Sequence, residues 1–161
     1  MARIFIPAIF IILMLHKLRS ASRLSPTDWL FFLPAWFWLL IFDLGLRTRP
    51  FPDLQAFAAR LAKCPVPSPE QTESMIRALK AAVNHARYNH LYPMTCLRRA
   101  LALQKLLSER GIAAELKIGV RKEAGQFSAH AWLDYQGKPL GEPERVTEQY
   151  ATLMKTPGKA E

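Results

Sequence analysis

Two apolar blocks open the chain, and a change of hydrophobic period divides the rest. The first block, Ile4 to Leu15, covers about twelve residues and is followed by His16, Lys17, Arg19 and Arg23. A spanning helix needs roughly 20 apolar residues, so this block is short for one. A signal peptide carries its charges before the apolar run, whereas here they follow it, and the pattern argues against secretion. The second block, Trp29 to Leu46, holds Trp29, Trp36 and Trp38 with Phe31, Phe32, Phe37 and Phe42. Ser25-Pro26-Thr27-Asp28 marks its start: a capping serine, a proline suited to the first turn, and an acid that complements the helix dipole. Its length permits a membrane span, but Pro34 and Asp43 are expected to interrupt it. Basic residues flank both sides, so charge gives no orientation. Two readings stay open: a pair of apolar helices packed on the rest of the protein, or contact with a membrane.

Prolines recur at 50, 52, 65, 67 and 69. Leu54 to Lys63 between them reads as a short amphipathic helix, and Cys64 to Pro69 as an extended linker. This places residues 1–68 in an N-terminal apolar region with its linker, and residues 69–161 in a second region. Ser68-Pro69-Glu70-Gln71 has the form of a capping box. Behind it Met75, Ile76, Leu79, Ala82, Val83 and Ala86 recur at helical spacing, ending near Asn89. A further helix is predicted from about Thr95 to Arg110, closed by Gly111. Cys96 falls in its first turn, on the face of Ala100, Leu103 and Leu107.

After Gly111 the period drops to two. Ala114, Leu116, Ile118 and Val120 alternate with Glu115, Lys117, Gly119 and Arg121, a half-buried strand. Phe127 to Tyr135 reads as a second strand and Lys138 to Glu142 as a third. The tail carries a helical turn or two through Val146, Tyr150 and Leu153. Helices followed by an antiparallel meander give an α+β fold.

Composition narrows the chemistry only a little. The chain of 161 residues carries 22 Lys and Arg against 13 Asp and Glu, a net charge of +9. That surplus suits an anionic partner, but the basic residues are spread and no nucleic-acid module is present, which argues against nucleic acid. Two cysteines offer neither a disulfide framework nor zinc-ligand spacing, and reduced thiols in a cytoplasmic setting are the simpler reading. No metal-ligand cluster or glycine-rich phosphate loop is visible, so no cofactor is expected.

Candidate chemistry gathers on Cys96 and His130. A thiol is a nucleophile as thiolate, and a helix N-terminus favours that form with its free N–H groups and positive dipole end. Those N–H groups can also serve an oxyanion. His130 lies mid-strand in Phe127-Ser-Ala-His-Ala-Trp132, where an imidazole needs a partner. Asp134 is nearest in sequence, but four residues along a strand put it about 13 Å away. With a three-residue turn at 135–137, Glu142 falls opposite His130, and a two-residue turn would aim it at the other face. Glu142 is thus the favoured acid and Asp134 the alternative. Singly, a buried cysteine is usually a small hydrophobe and a strand histidine a satisfied core residue; their combination is what points to catalysis.

The blocks Thr95-Cys-Leu-Arg-Arg-Ala-Leu-Ala-Leu-Gln104, Arg110-Gly-Ile112, Leu116-Lys-Ile-Gly-Val120 and Phe127-Ser-Ala-His-Ala-Trp132, with Gly137 and Leu140 following, fall in order at the spacing of a known family. They resemble the leader peptidases of lasso-peptide biosynthesis, within the transglutaminase-like, papain-related superfamily. The resemblance covers roughly Ile76 to Glu142. It implies a transglutaminase-like core and proteolysis of a ribosomally made precursor peptide, so that a partner cyclase resembling asparagine synthetase can close a ring. The family's Cys–His–Asp triad maps onto Cys96 and His130, with Glu142 where the family tends to carry Asp. Since no leader-binding domain precedes the catalytic half, the resemblance also implies a separate leader-recognition protein.

Overall fold

The computed structural model describes residues 26–65, 67–90, 93–123, 125–143 and 146–155. The block Ile4 to Leu15 and the capping residue Ser25 lie outside the described residues. Helix α1, Pro26–Thr48, runs without a break through Pro34 and Asp43. The expected interruption is therefore corrected at both positions. A proline removes one backbone donor within a helix that tertiary packing sustains. Asp43 is no break either, because it is buried and paired: Arg98 Nε lies 2.8 Å from one carboxylate oxygen and Arg47 3.0 Å from the other.

Helix α2 spans Phe51–Ala59, opened by its proline-rich entry. Helix α3, Pro69–Tyr88, begins as its sequence requires: the Ser68 hydroxyl accepts from the Gln71 N–H, and the Gln71 side chain accepts from the Ser68 N–H. Helix α4, Cys96–Ser108, carries the thiol on its first residue. Gly111 then turns the chain at φ +72°, a conformation that favours glycine.

Strands β1 (Glu115–Glu123), β2 (Gln126–Tyr135), β3 (Lys138–Pro139) and β4 (Ala151–Lys155) form one antiparallel sheet in the order β3-β2-β1-β4, with a one-turn helix α5, Val146–Gln149, before β4. The architecture is α+β, with an apolar helix leading into it. Strand β4 replaces the helical tail expected around Leu153. It lies on the free edge of β1, with a register shift between Ile118 and Gly119. β3 is shorter than expected and ends at Pro139.

Alternation along β2 gives the sheet two unlike faces. Ala131 and Leu133, opposite Ile118 and Leu116, join one buried cluster with Leu101, Leu106 and Leu107 of α4, Leu79 and Val83 of α3, and Phe32, Leu39 and Phe42 of α1. That cluster crosses from the N-terminal helices into the half bearing Cys96, so the face of α1 carrying Phe32, Ala35, Leu39 and Phe42 is covered by protein. Its other side exposes Leu30, Leu33, Phe37 and Leu44. By length and mean hydropathy α1 could cross a membrane, a property that core helices share. On the sheet's second face stand His130, Trp132 and Tyr150.

Candidate active site

The site forms where the N-terminus of α4 meets the chain that leaves β3. Thr95 precedes α4 in extended conformation and its side chain makes no capping hydrogen bond, so the first-turn N–H groups are left open to an incoming acceptor. Cys96 is a free, partly buried thiol. It lines a cleft with Lys80, Asn84, Arg99, Ala131, Trp132, Leu140 and Glu142. Cys64 is free as well, but exposed and remote in the fold, with its sulfur against the Glu109 carbonyl oxygen.

His130 is fixed by the sheet and by aromatic neighbours. It sits opposite Gly119, its ring stacked on Trp132 at 6.0 Å and inclined to Tyr150 at 5.5 Å. Gly119 makes this cluster possible. A Cβ added there would come 2.7 Å from the Tyr150 Cβ and 3.1 Å from the Trp132 ring, closer than atoms tolerate. Gly119→Ala should therefore push Tyr150 off the sheet and lower stability by about 1–3 kcal/mol in denaturant titration, as overpacking does. An unchanged midpoint would show that the tyrosine is not held there.

Glu142 is the acid that reaches the imidazole. Its Oε1 lies 3.1 Å from His130 Nε2, with both side chains about three-quarters buried. The route differs from the one the sequence suggests. The turn is the two-residue Gln136-Gly137, pairing Tyr135 with Lys138 and Asp134 with Pro139, a register that would carry Glu142 to the wrong side. But the ladder stops: the Leu140 N–H still donates to the Leu133 carbonyl at 2.7 Å, and Gly141 at φ +85° then swings the chain out of the sheet. Asp134 is held on β2 between Glu115 and Pro139. The structure thus brings Glu142, rather than Asp134, to His130.

The thiol is not yet joined to that pair. His130 lines a second concavity with Arg121, Glu142, Pro143 and Tyr150, and Glu142 is the residue common to both hollows. No hydrogen bond among the described residues links Cys96 to His130. Contacts between nucleophile and base are often loose until substrate closes them. With Nε2 given to Glu142, Nδ1 is the ring nitrogen left to take a proton.

Two arginines next to the thiol escaped the sequence reading. Arg98 clamps α4 to α1 through Asp43, and Arg99 enters the cleft itself. The signal was legible: a basic pair in the first turn of a helix opposes the helix dipole, and α4 has no first-turn acid to offset it. The other histidine of note, His90, is buried and stacked on Trp36 at 4.8 Å, away from the thiol's cleft. Among the described residues no group of His, Cys and carboxylates could hold a metal.

The pattern of the transglutaminase-like superfamily matches residues 38–155, from within α1 to the end of β4. The chain belongs to the transglutaminase-like superfamily. That superfamily includes both cysteine peptidases and acyl-transferases, and its members are usually catalytic. No curated protein and no solved structure matches the chain.

Proposed function

We propose that this superfamily member is a cysteine peptidase that removes the leader from a lasso-peptide precursor. The observation that carries the reading is Glu142, which holds His130 at 3.1 Å and also lines the cleft of the helix-start thiol Cys96. In the proposed reaction His130 Nδ1 takes the Cys96 proton and the thiolate attacks the scissile carbonyl carbon. First-turn N–H groups of α4 stabilise the oxyanion. The C–N bond breaks, the leaving amine receives the proton from His130, and a thioester remains on Cys96. Water, deprotonated by His130, then hydrolyses the thioester and frees the thiol. Glu142 keeps the imidazole oriented and balances its charge in both halves.

The leader specificity rests on the resemblance of the Cys96 and His130 blocks. It brings with it a precursor peptide, a separate leader-recognition protein and an asparagine-synthetase-like cyclase as partners. The exposed stripe of α1 supports membrane contact beside the cytoplasmic setting of such an assembly. A transglutaminase-type acyl-transferase would form its Cys96 thioester on a glutamine carboxamide, releasing ammonia, and pass the acyl group to an amine instead of water, and an inert scaffold would form no thioester.

Mass spectrometry separates the three. The protein is incubated with a lasso-peptide precursor and a leader-recognition protein. Two fragments whose masses sum to the precursor plus one water are expected. A product that has lost ammonia and gained an amine-bearing partner would mean transfer. An unchanged precursor, with Cys96 no more reactive to iodoacetamide than Cys64, would mean a scaffold.

A further inference from the structure

The cleft beside Cys96 contains a cation that makes no ion pair among the described residues. Arg99 lies three residues along α4 from the thiol and lines the same cleft. Its Nε is fully buried and makes no hydrogen bond among the described residues. No carboxylate among them lies within ion-pair distance of it, whereas the adjacent Arg98, whose Nε also lacks a hydrogen bond of good geometry, has the Asp43 carboxylate 2.8 Å away as its counter-charge. Burial and the charge of Arg87 both lower the Arg99 pKa, and the charges of Glu142 and Cys96 act the other way.

Lys80 comes in from α3 to the same wall. A Cβ on Gly141 would meet its Cε at 2.9 Å and its Nζ at 3.4 Å, so the ammonium stem runs against the turn that presents Glu142. Among the described residues the only carboxylate lining the cleft is Glu142, and that one is engaged by His130. A half-buried guanidinium without an acceptor is costly, and the cost is removed by a carboxylate that its planar fork can take bidentately.

We propose that Arg99, assisted by Lys80, is a specificity residue that receives a carboxylate side chain of the peptide close to the bond attacked by Cys96. This names the substrate feature of the site described above and rests on that reading for the peptide. The anion site itself is testable without any turnover.

The test compares alkylation of Cys96 by iodoacetate and by iodoacetamide in the full chain, with Cys64 as the internal reference, read by peptide mass mapping. The rate ratio of anionic to neutral reagent at Cys96 should exceed that at Cys64 by about tenfold or more at low salt and shrink as salt rises. Arg99→Gln should bring the two ratios together, and Arg99→Lys should retain most of the difference. Equal ratios at the two cysteines of the wild-type protein overturn the proposal even if every Arg99 variant fails to fold. A high ratio that survives in folded Arg99→Gln overturns it too, since the positive charge would then come from elsewhere. Cleavage of peptides with Asp or Glu replaced by Asn or Gln near the scissile bond is the second arm, with kcat/KM expected to fall tenfold or more at one position. If no peptide is cut but the alkylation ratio holds, the anion site stands and the peptidase reading falls.

Discussion

Replacing Cys96 with alanine should abolish precursor cleavage, and the variants of its partners should fall in a defined order behind it. Without the thiol no thioester can form, so Cys96→Ala is expected at the uncatalysed background. His130→Ala retains the thiol but has no group to carry the proton in either half of the reaction, and a loss in kcat/KM of about 10²–10⁴-fold is expected. Glu142→Gln keeps the shape and removes the charge that faces Nε2 at 3.1 Å, so it should also lose activity, but less than His130→Ala. Glu142 acts through the imidazole. The double variant His130→Ala/Glu142→Gln should therefore be no worse than His130→Ala alone, as groups working as one unit are not additive. Asp134→Asn should leave cleavage near wild type, because Asp134 stays on β2 away from the imidazole. Wild-type turnover by Cys96→Ala, or a loss in Asp134→Asn as large as in Glu142→Gln, would contradict the assignment.

What could be read in the sequence divides along the line between local and long-range causes. The Ser68–Gln71 capping box, the helix it starts, the stop at Gly111 and the alternation of β1 and β2 depend on neighbours within a few residues, and all appear where the pattern puts them. Strand β4 was not legible. Ala151 to Lys155 has no marked alternation, and it becomes a strand because the edge of β1 offers it unpaired backbone groups. The sequence pattern points Glu142 at His130 through a three-residue turn, whereas the turn has two residues. The residue arrives through the positive φ of Gly141 after the ladder ends at Pro139. At Asp43 the sequence showed an acid inside an apolar run, and only the packing of α1 beside α4 shows that Arg98 meets it.

That ion pair leads to the largest stability effect expected in this protein. Asp43 is 1% exposed and its two oxygens face Arg98 at 2.8 Å and Arg47 at 3.0 Å. Arg47 is largely exposed and one helical turn away on the same helix, so its bond adds little. Arg98 is mostly buried and sits on the second residue after Cys96, so this bond ties α1 to the start of α4. Removing the carboxylate leaves a guanidinium in the interior with no acceptor, and breaking a buried pair from one side costs about 3–5 kcal/mol. Asp43→Ala should therefore lower the melting temperature by on the order of 10 °C for a domain of this size. Restoring neutrality from the other side should recover much of the loss: Asp43→Leu/Arg98→Met replaces both charges by apolar groups, and such replacement of a buried pair is often close to neutral. Thermal unfolding of the single and double variants provides the cycle. A double variant as unstable as the sum of the two single ones would mean that the two residues are stabilised independently, and α1 would then be held on α4 by its apolar face alone. The consequence reaches the site as well. Loss of the clamp frees the first turn of α4, and Asp43→Ala should slow iodoacetamide capture of Cys96 at temperatures where the protein remains folded, while capture of Cys64 stays the same.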